Sequence, residues 1–128
     1  MRLYQGIDIV EISKIQRIMG RNPSFAFDIF TDRERDYCRS FRDPYARFAG
    51  RFAAKEACAK ALGKGFLPAG IDHAFQEIEV VPTPSGKPRL DLCGWMAKIC
   101  RKRNVDQLTV SISHASRYCV ATVILLGP

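Results

Sequence analysis

The chain has 128 residues, enough for one hydrophobic core but not for two. Apolar residues at 47% and charged residues at 26% exclude a disordered chain, and no apolar run reaches the roughly 18 residues of a membrane span. Twenty basic against 13 acidic side chains leave a net charge of +7, an excess that favours an anionic partner without choosing among nucleic acid, a phosphate-rich small molecule and an acidic protein.

Residues 1–128 read as one domain without repeats or linkers. Leu3 to Val10 is a β-like start. Glu11 to Met19 follows as a short amphipathic helix, with Ile12, Ile15, Ile18 and Met19 at helical spacing and Lys14, Arg17 and Arg21 on its basic side. Gly20 to Pro23 should break it. Thr31-Asp32-Arg33-Glu34 is a capping box that starts a helix to about Ser40. Asp43-Pro44 sets an N-cap and a first-turn proline for a long helix, Tyr45 to Leu62, that stops at Gly63.

The second half reads as mostly β. Ile78 to Val81 and Arg89 to Leu92 form a hairpin around the loop Pro84-Ser85-Gly86-Lys87-Pro88. Gly94 to Arg103 is helical, with Trp95, Met96, Ile99 and Cys100 expected inward. Leu108 to Ser113 alternates as a half-buried strand, His114 to Arg117 turns the chain, and Tyr118 to Leu126 is a more apolar strand. Helices first and antiparallel strands later make an α+β arrangement, an antiparallel sheet packed on a long central helix. Five cysteines, none in a C-x-x-C pair, argue against a disulfide framework or a zinc site. Cys58 and Cys119 read as core. Met1 to Asp8 has no signal-peptide apolar stretch, so a cytoplasmic location is expected.

The long helix is the most informative element. Its alanines imply burial, yet Arg51, Lys55, Glu56 and Lys60 are interleaved among them, and buried charges need partners or a ligand. Glu56 and Lys60 are either a surface i,i+4 pair or a carboxylate for a metal and an ammonium for a phosphate. Asp8 either faces solvent or, with Glu56, holds Mg²⁺, an ion commonly bound by one or two carboxylates plus phosphate oxygens. Arg51, Lys55 and Lys60 would then neutralise that phosphate. Gly63-Lys64-Gly65 offers backbone N–H groups without being a P-loop. The Pro84–Pro88 loop is either a plain turn or an anion cradle built from the Ser85 hydroxyl, the Gly86 N–H and Lys87. His114 is either a satisfied histidine or a base.

Gly6-Ile7-Asp8-Ile9-Val10-Glu11, the helix Arg51-Phe52-Ala53-Ala54-Lys55-Glu56-Ala57-Cys58-Ala59-Lys60-Ala61-Leu62-Gly63, and Ser111-Ile112-Ser113-His114 with Tyr118-Cys119-Val120-Ala121-Thr122-Val123 together resemble the 4′-phosphopantetheinyl transferases. The length and the early G-I-D motif resemble the holo-[acyl-carrier-protein] synthase branch. The resemblance runs in order over essentially the whole chain. It implies that fold, and transfer of 4′-phosphopantetheine from coenzyme A to a serine of apo acyl carrier protein, with release of adenosine 3′,5′-bisphosphate, in support of fatty acid biosynthesis.

The resemblance also implies residue roles. Asp8 and Glu56 match the Mg²⁺ ligands, with Glu56 the candidate base. Lys60 matches the pyrophosphate-binding lysine. Arg51, Gly63 and Lys64 fall where coenzyme A phosphates are expected. Pro84, Ser85, Gly86 and Lys87 resemble the loop near the nucleotide, and His114 a strand-end residue near the site. It implies further that Lys14, Arg17 and Arg21 dock the acidic carrier protein and that the chain forms a homotrimer with sites between subunits. No nucleic-acid or membrane partner is expected. Two alternatives stay open: a basic binding module without chemistry, and a metal-dependent phosphohydrolase using the same two carboxylates.

Overall fold

The computed structural model describes residues 1–63 and 73–128. In chain order the elements are β1 (Arg2–Glu11), α1 (Ile12–Arg21), α2 (Phe25–Ile29), α3 (Asp32–Arg39), α4 (Pro44–Ala61), α5 (His73–Gln76), β2 (Ile78–Val81), β3 (Arg89–Leu92), α6 (Gly94–Lys102), β4 (Gln107–His114) and β5 (Tyr118–Gly127). Strands β1, β5 and β4 form an antiparallel sheet in that order, and β2 pairs with β3 as a separate hairpin. The expected α+β class and sheet-on-helix layering are what the structure has.

The starting signals act as expected. The Glu34 amide donates to the Thr31 hydroxyl at 3.2 Å and the Thr31 amide donates to Glu34 Oε1 at 2.9 Å, which completes the capping box of α3. The Tyr45 amide donates to Asp43 Oδ1 at 3.2 Å at the start of α4. Alanine-rich sequence favours the helix that follows, and Gly63 at φ +72° closes it. Some details differ from the sequence reading, the short α5 (His73–Gln76) among them. Helix α1 runs through Gly20 to Arg21, because only one face of it must pack and Gly20 costs no contact there. Helix α2 is too short for a periodic signal. Trp95 is 42% exposed, while Met96 and Ile99 carry the inward face of α6.

One face of the sheet packs on α4. Val10, Val110, Cys119, Ala121, Val123 and Leu125 are buried there against Ala53, Ala54 and Ala57. Phe30 and Phe48, with centroids 4.9 Å apart, fill the space between α2 and α4, each fully buried ring contributing on the order of 1.5–3 kcal/mol. The opposite face of the sheet is open: Leu3, Ile7 and Ile9 are 58%, 59% and 62% exposed.

Lys55 lies wholly inside this core and not at a phosphate site. Its ammonium pairs with Glu34 Oε1 at 2.7 Å and donates to the Phe75 and Ile78 carbonyl oxygens at 2.7 and 2.5 Å. The Val80 amide donates to Glu34 Oε2 at 2.9 Å. The carboxylate that caps α3 thus also ties α3 to α4 and β2. Burial pushes the Lys55 pKa down, and the Glu34 charge opposes that shift.

Candidate active site

Asp8 belongs to the helix-facing side of β1, with Gly6 and Val10. That settles the choice between the two faces: Asp8 points toward α4, near its C-terminal half. Lys60 Nζ lies 2.7 Å from Asp8 Oδ1 and donates to the Ile7 carbonyl at 3.2 Å. Glu56 stands one turn earlier on the same side of α4. The ion pair of Lys60 therefore runs across to the strand, not back along the helix to Glu56.

These three side chains open into a cleft of about 500 Å³, walled also by Lys14, Ile18 and Phe52. Helix α1 supplies Lys14 and Ile18, because it turns back from the end of β1 and lies against α4. Phe52 stands four residues before Glu56, the spacing that puts both on one helix face. Phe52 is not among the site residues read from the sequence, although its i,i+4 spacing to Glu56 is visible there.

The electrostatics of the cleft are those of two carboxylates sharing one space. Burial raises the Glu56 pKa above the ordinary carboxylate value, and the negative charge of Asp8 raises it further; Lys60 and Lys14 oppose both. Two hard oxygen donors that repel each other suit a divalent cation. Among the described residues no cluster of three metal-ligating side chains is present, so water and phosphate oxygens would complete the shell.

The remaining candidates lie elsewhere in the chain. Arg51 is 6% exposed, with its guanidinium 4.3 Å over the Tyr37 ring and its Nε without a hydrogen-bond partner among the described residues. Gly63 ends α4, and Lys64 lies outside the described residues. In the Pro84–Pro88 loop Gly86 has φ +87°, and its N–H donates to the Thr83 carbonyl at 2.9 Å, so the turn itself uses the donor that the anion-cradle reading needed. Ser85 and Lys87 line a groove of about 250 Å³ against Leu108, Thr109 and Val110 of β4. His114 ends β4, opposite Cys119, and is exposed. Lys14, Arg17 and Arg21 are all exposed on α1.

The family model of the 4′-phosphopantetheinyl transferase superfamily matches residues 5–123. A holo-[acyl-carrier-protein] synthase of Caldanaerobacter subterraneus subsp. tengcongensis is 34% identical over 127 residues, covering 99% of this chain and 97% of the relative. One from Moorella thermoacetica is 38% identical over 123 residues, covering 96% and 93%. Among solved structures, a Chronobacterium ammoniagenes ACPS–CoA complex superposes with a TM-score of 0.86 at 30% identity, covering 100% of this chain and 99% of the other. The Helicobacter pylori holo-[acyl-carrier-protein] synthase in complex with coenzyme A gives 0.80 at 31% identity, covering 95% and 99%. The chain belongs to the 4′-phosphopantetheinyl transferase superfamily, among its holo-[acyl-carrier-protein] synthases.

Proposed function

We propose that this chain transfers the 4′-phosphopantetheine group of coenzyme A to a serine of apo acyl carrier protein, in an Mg²⁺-dependent reaction that supports fatty acid biosynthesis. The observation that carries the reading is the convergence of Asp8, Glu56 and Lys60 in one cleft of a chain from this family. In the reaction the serine oxygen bonds to the phosphorus that bears the pantetheine arm. The phosphoanhydride bond to the nucleotide breaks, adenosine 3′,5′-bisphosphate leaves, and the serine proton goes to a base.

Asp8 and Glu56 would hold the cation, which when bound supplies charge to neutralise the pyrophosphate. Lys60, already drawn toward the cleft by Asp8, offers an ammonium to the same oxygens and to the departing phosphate. Glu56, lining the cleft with Asp8 and Lys60, is the candidate to take the serine proton. Phe52 and Ile18 give the cleft an apolar wall beside the reacting groups. Intact-mass spectrometry of apo acyl carrier protein with coenzyme A, Mg²⁺ and this protein tests the reaction. One added phosphopantetheine, lost with EDTA, is expected. Free phosphopantetheine with unmodified carrier would support the hydrolase reading instead, and no reaction the binding module.

The exposed cations of α1 support docking of an acidic carrier beside the cleft that Lys14 helps to line. Replacing Lys14 and Arg17 by glutamate is expected to raise the KM for carrier protein roughly tenfold at low salt and to leave that for coenzyme A nearly unchanged. Steady-state kinetics with each substrate varied checks this, and equal damage to both constants sinks the docking role.

A homotrimer with sites between copies accounts for the scatter of the other candidates. The Asp8 cleft adjoins β1, whereas His114 and the Pro84–Pro88 loop adjoin β4, and these are the two edge strands of one sheet. Copies arranged head to tail in a closed ring would join the two half-sites, with Arg51, Gly63, Lys64, Pro84, Ser85, Gly86, Lys87 and His114 as residues for coenzyme A. The open face bearing Leu3, Ile7 and Ile9 suits burial against further copies. Sedimentation should give a trimer, and Ile7→Glu with Ile9→Glu should dissociate it. A wild-type monomer at assay concentration counts against the shared site.

A further inference from the structure

At Gly6 the strand β1 rests on the backbone of α4. A β-carbon there would stand 1.9 Å from the Ala57 carbonyl oxygen and 2.8 Å from the Ala61 amide nitrogen. Both are helix main-chain atoms, so no side-chain rotation could relieve the contact. Gly6 lies within a regular strand, paired with Val123, so what it supplies is missing volume and not an unusual backbone angle.

Asp8 is two residues further on, with its side chain on the same side of the strand. The gap between strand and helix at Gly6 therefore sets how deeply Asp8 reaches toward Glu56 and Lys60. We propose that Gly6 is a positioning residue for the divalent cation: its lack of a β-carbon lets β1 lie against α4 closely enough for Asp8 and Glu56 to share one ion. The proposal rests on the metal reading given above. The scale of the effect follows from the contacts. β-Carbons essentially never approach another atom closer than 3.0 Å. An alanine at position 6 must therefore open the gap by about 1 Å, half the length of an Mg²⁺–oxygen bond and more than its octahedral shell tolerates.

Binding of Mn²⁺ alone, followed by loss of the free-ion EPR signal, tests this without turnover. Gly6→Ala, if folded by circular dichroism, is expected to weaken Mn²⁺ binding at least tenfold. Gly127→Ala is the matched control. Its β-carbon would stand 2.1 Å from the Asn104 carbonyl oxygen, at the far end of the sheet, so it carries a similar clash away from the cleft and should bind Mn²⁺ as wild type does. Adding Asp8→Glu to Gly6→Ala should restore much of the binding, because a longer side chain spans the wider gap. Equal Mn²⁺ affinity in wild type and folded Gly6→Ala overturns the proposal, and so does equal weakening by Gly127→Ala. If Gly6→Ala does not fold, Asp8→Glu alone decides: at least tenfold weaker binding supports a tightly set gap, and unchanged binding overturns it. Wild-type protein that binds no Mn²⁺ removes the metal reading itself and Gly6 with it.

Discussion

Glu56→Gln is expected to lower phosphopantetheine transfer at least about 100-fold, the lower bound for losing a positioned base, with more lost if the cation goes too. The replacement has the shape of glutamate and keeps an oxygen, but it can neither ionise nor accept a proton at neutral pH. Glu56 makes no hydrogen bond or ion pair among the described residues, and burial and Asp8 both disfavour its charge. Removing that charge should therefore leave the melting temperature of the metal-free protein unchanged or raise it. Loss of transfer with intact stability separates a role in chemistry from a role in folding. Intact-mass rates and a thermal melt on one preparation check both halves, and transfer within about threefold of wild type removes Glu56 from the reaction.

The raised pKa adds a pH dependence with two opposite signs. Cation binding needs the ionised carboxylate, so the half-saturating Mg²⁺ concentration should fall as pH rises through the Glu56 pKa. Metal-free stability runs the other way. A carboxyl whose pKa is higher in the folded than in the unfolded state favours folding at low pH, and that contribution is lost as pH rises through the raised value. Saturating cation should cancel this loss. Glu56→Gln should flatten both dependences.

Much of the framework was legible because its signals are local. The Thr31–Glu34 capping box, the Asp43-Pro44 start of α4 and the alternation of β4 each need only neighbouring residues, and the structure has them where expected. Helix α2 was not legible, since five residues make less than two turns and its Phe25 ring is held against Phe52 of α4 and not by a pattern of its own. In the site, Phe52, Glu56 and Lys60 share a face through i,i+4 spacing. Asp8 joins them across 52 residues, which no periodicity reports; the family resemblance suggested the pairing, and the Asp8–Lys60 contact gives it a physical form. Lys55 shows the opposite error. Adjacent to Glu56 in sequence, it reads as another cation for the phosphate. One residue along a helix is a turn of about 100°, enough to carry a side chain from the cleft to the core.

Lys55→Met is accordingly expected to destabilise the protein by about 3–5 kcal/mol, the usual cost of leaving a buried charge without its partner. For a chain of this length that is a fall in melting temperature of roughly 10–20 °C. Three donors of the Lys55 ammonium have three acceptors, Glu34, Phe75 O and Ile78 O, and both partners of the ion pair are fully buried. Methionine fills the volume but abandons all three, and it leaves the Glu34 carboxylate facing an apolar side chain. Adding Glu34→Gln should recover part of the loss, because an amide carries no charge and can still accept from the Thr31 or Val80 amide. A phosphate-binding Lys55 would behave differently: Lys55→Met would raise the KM for coenzyme A with the melting temperature unchanged. Chemical denaturation of the two single variants and the double variant measures the coupling directly. A coupling near zero would mean that Glu34 ties α3 to β2 through the Val80 amide independently of Lys55.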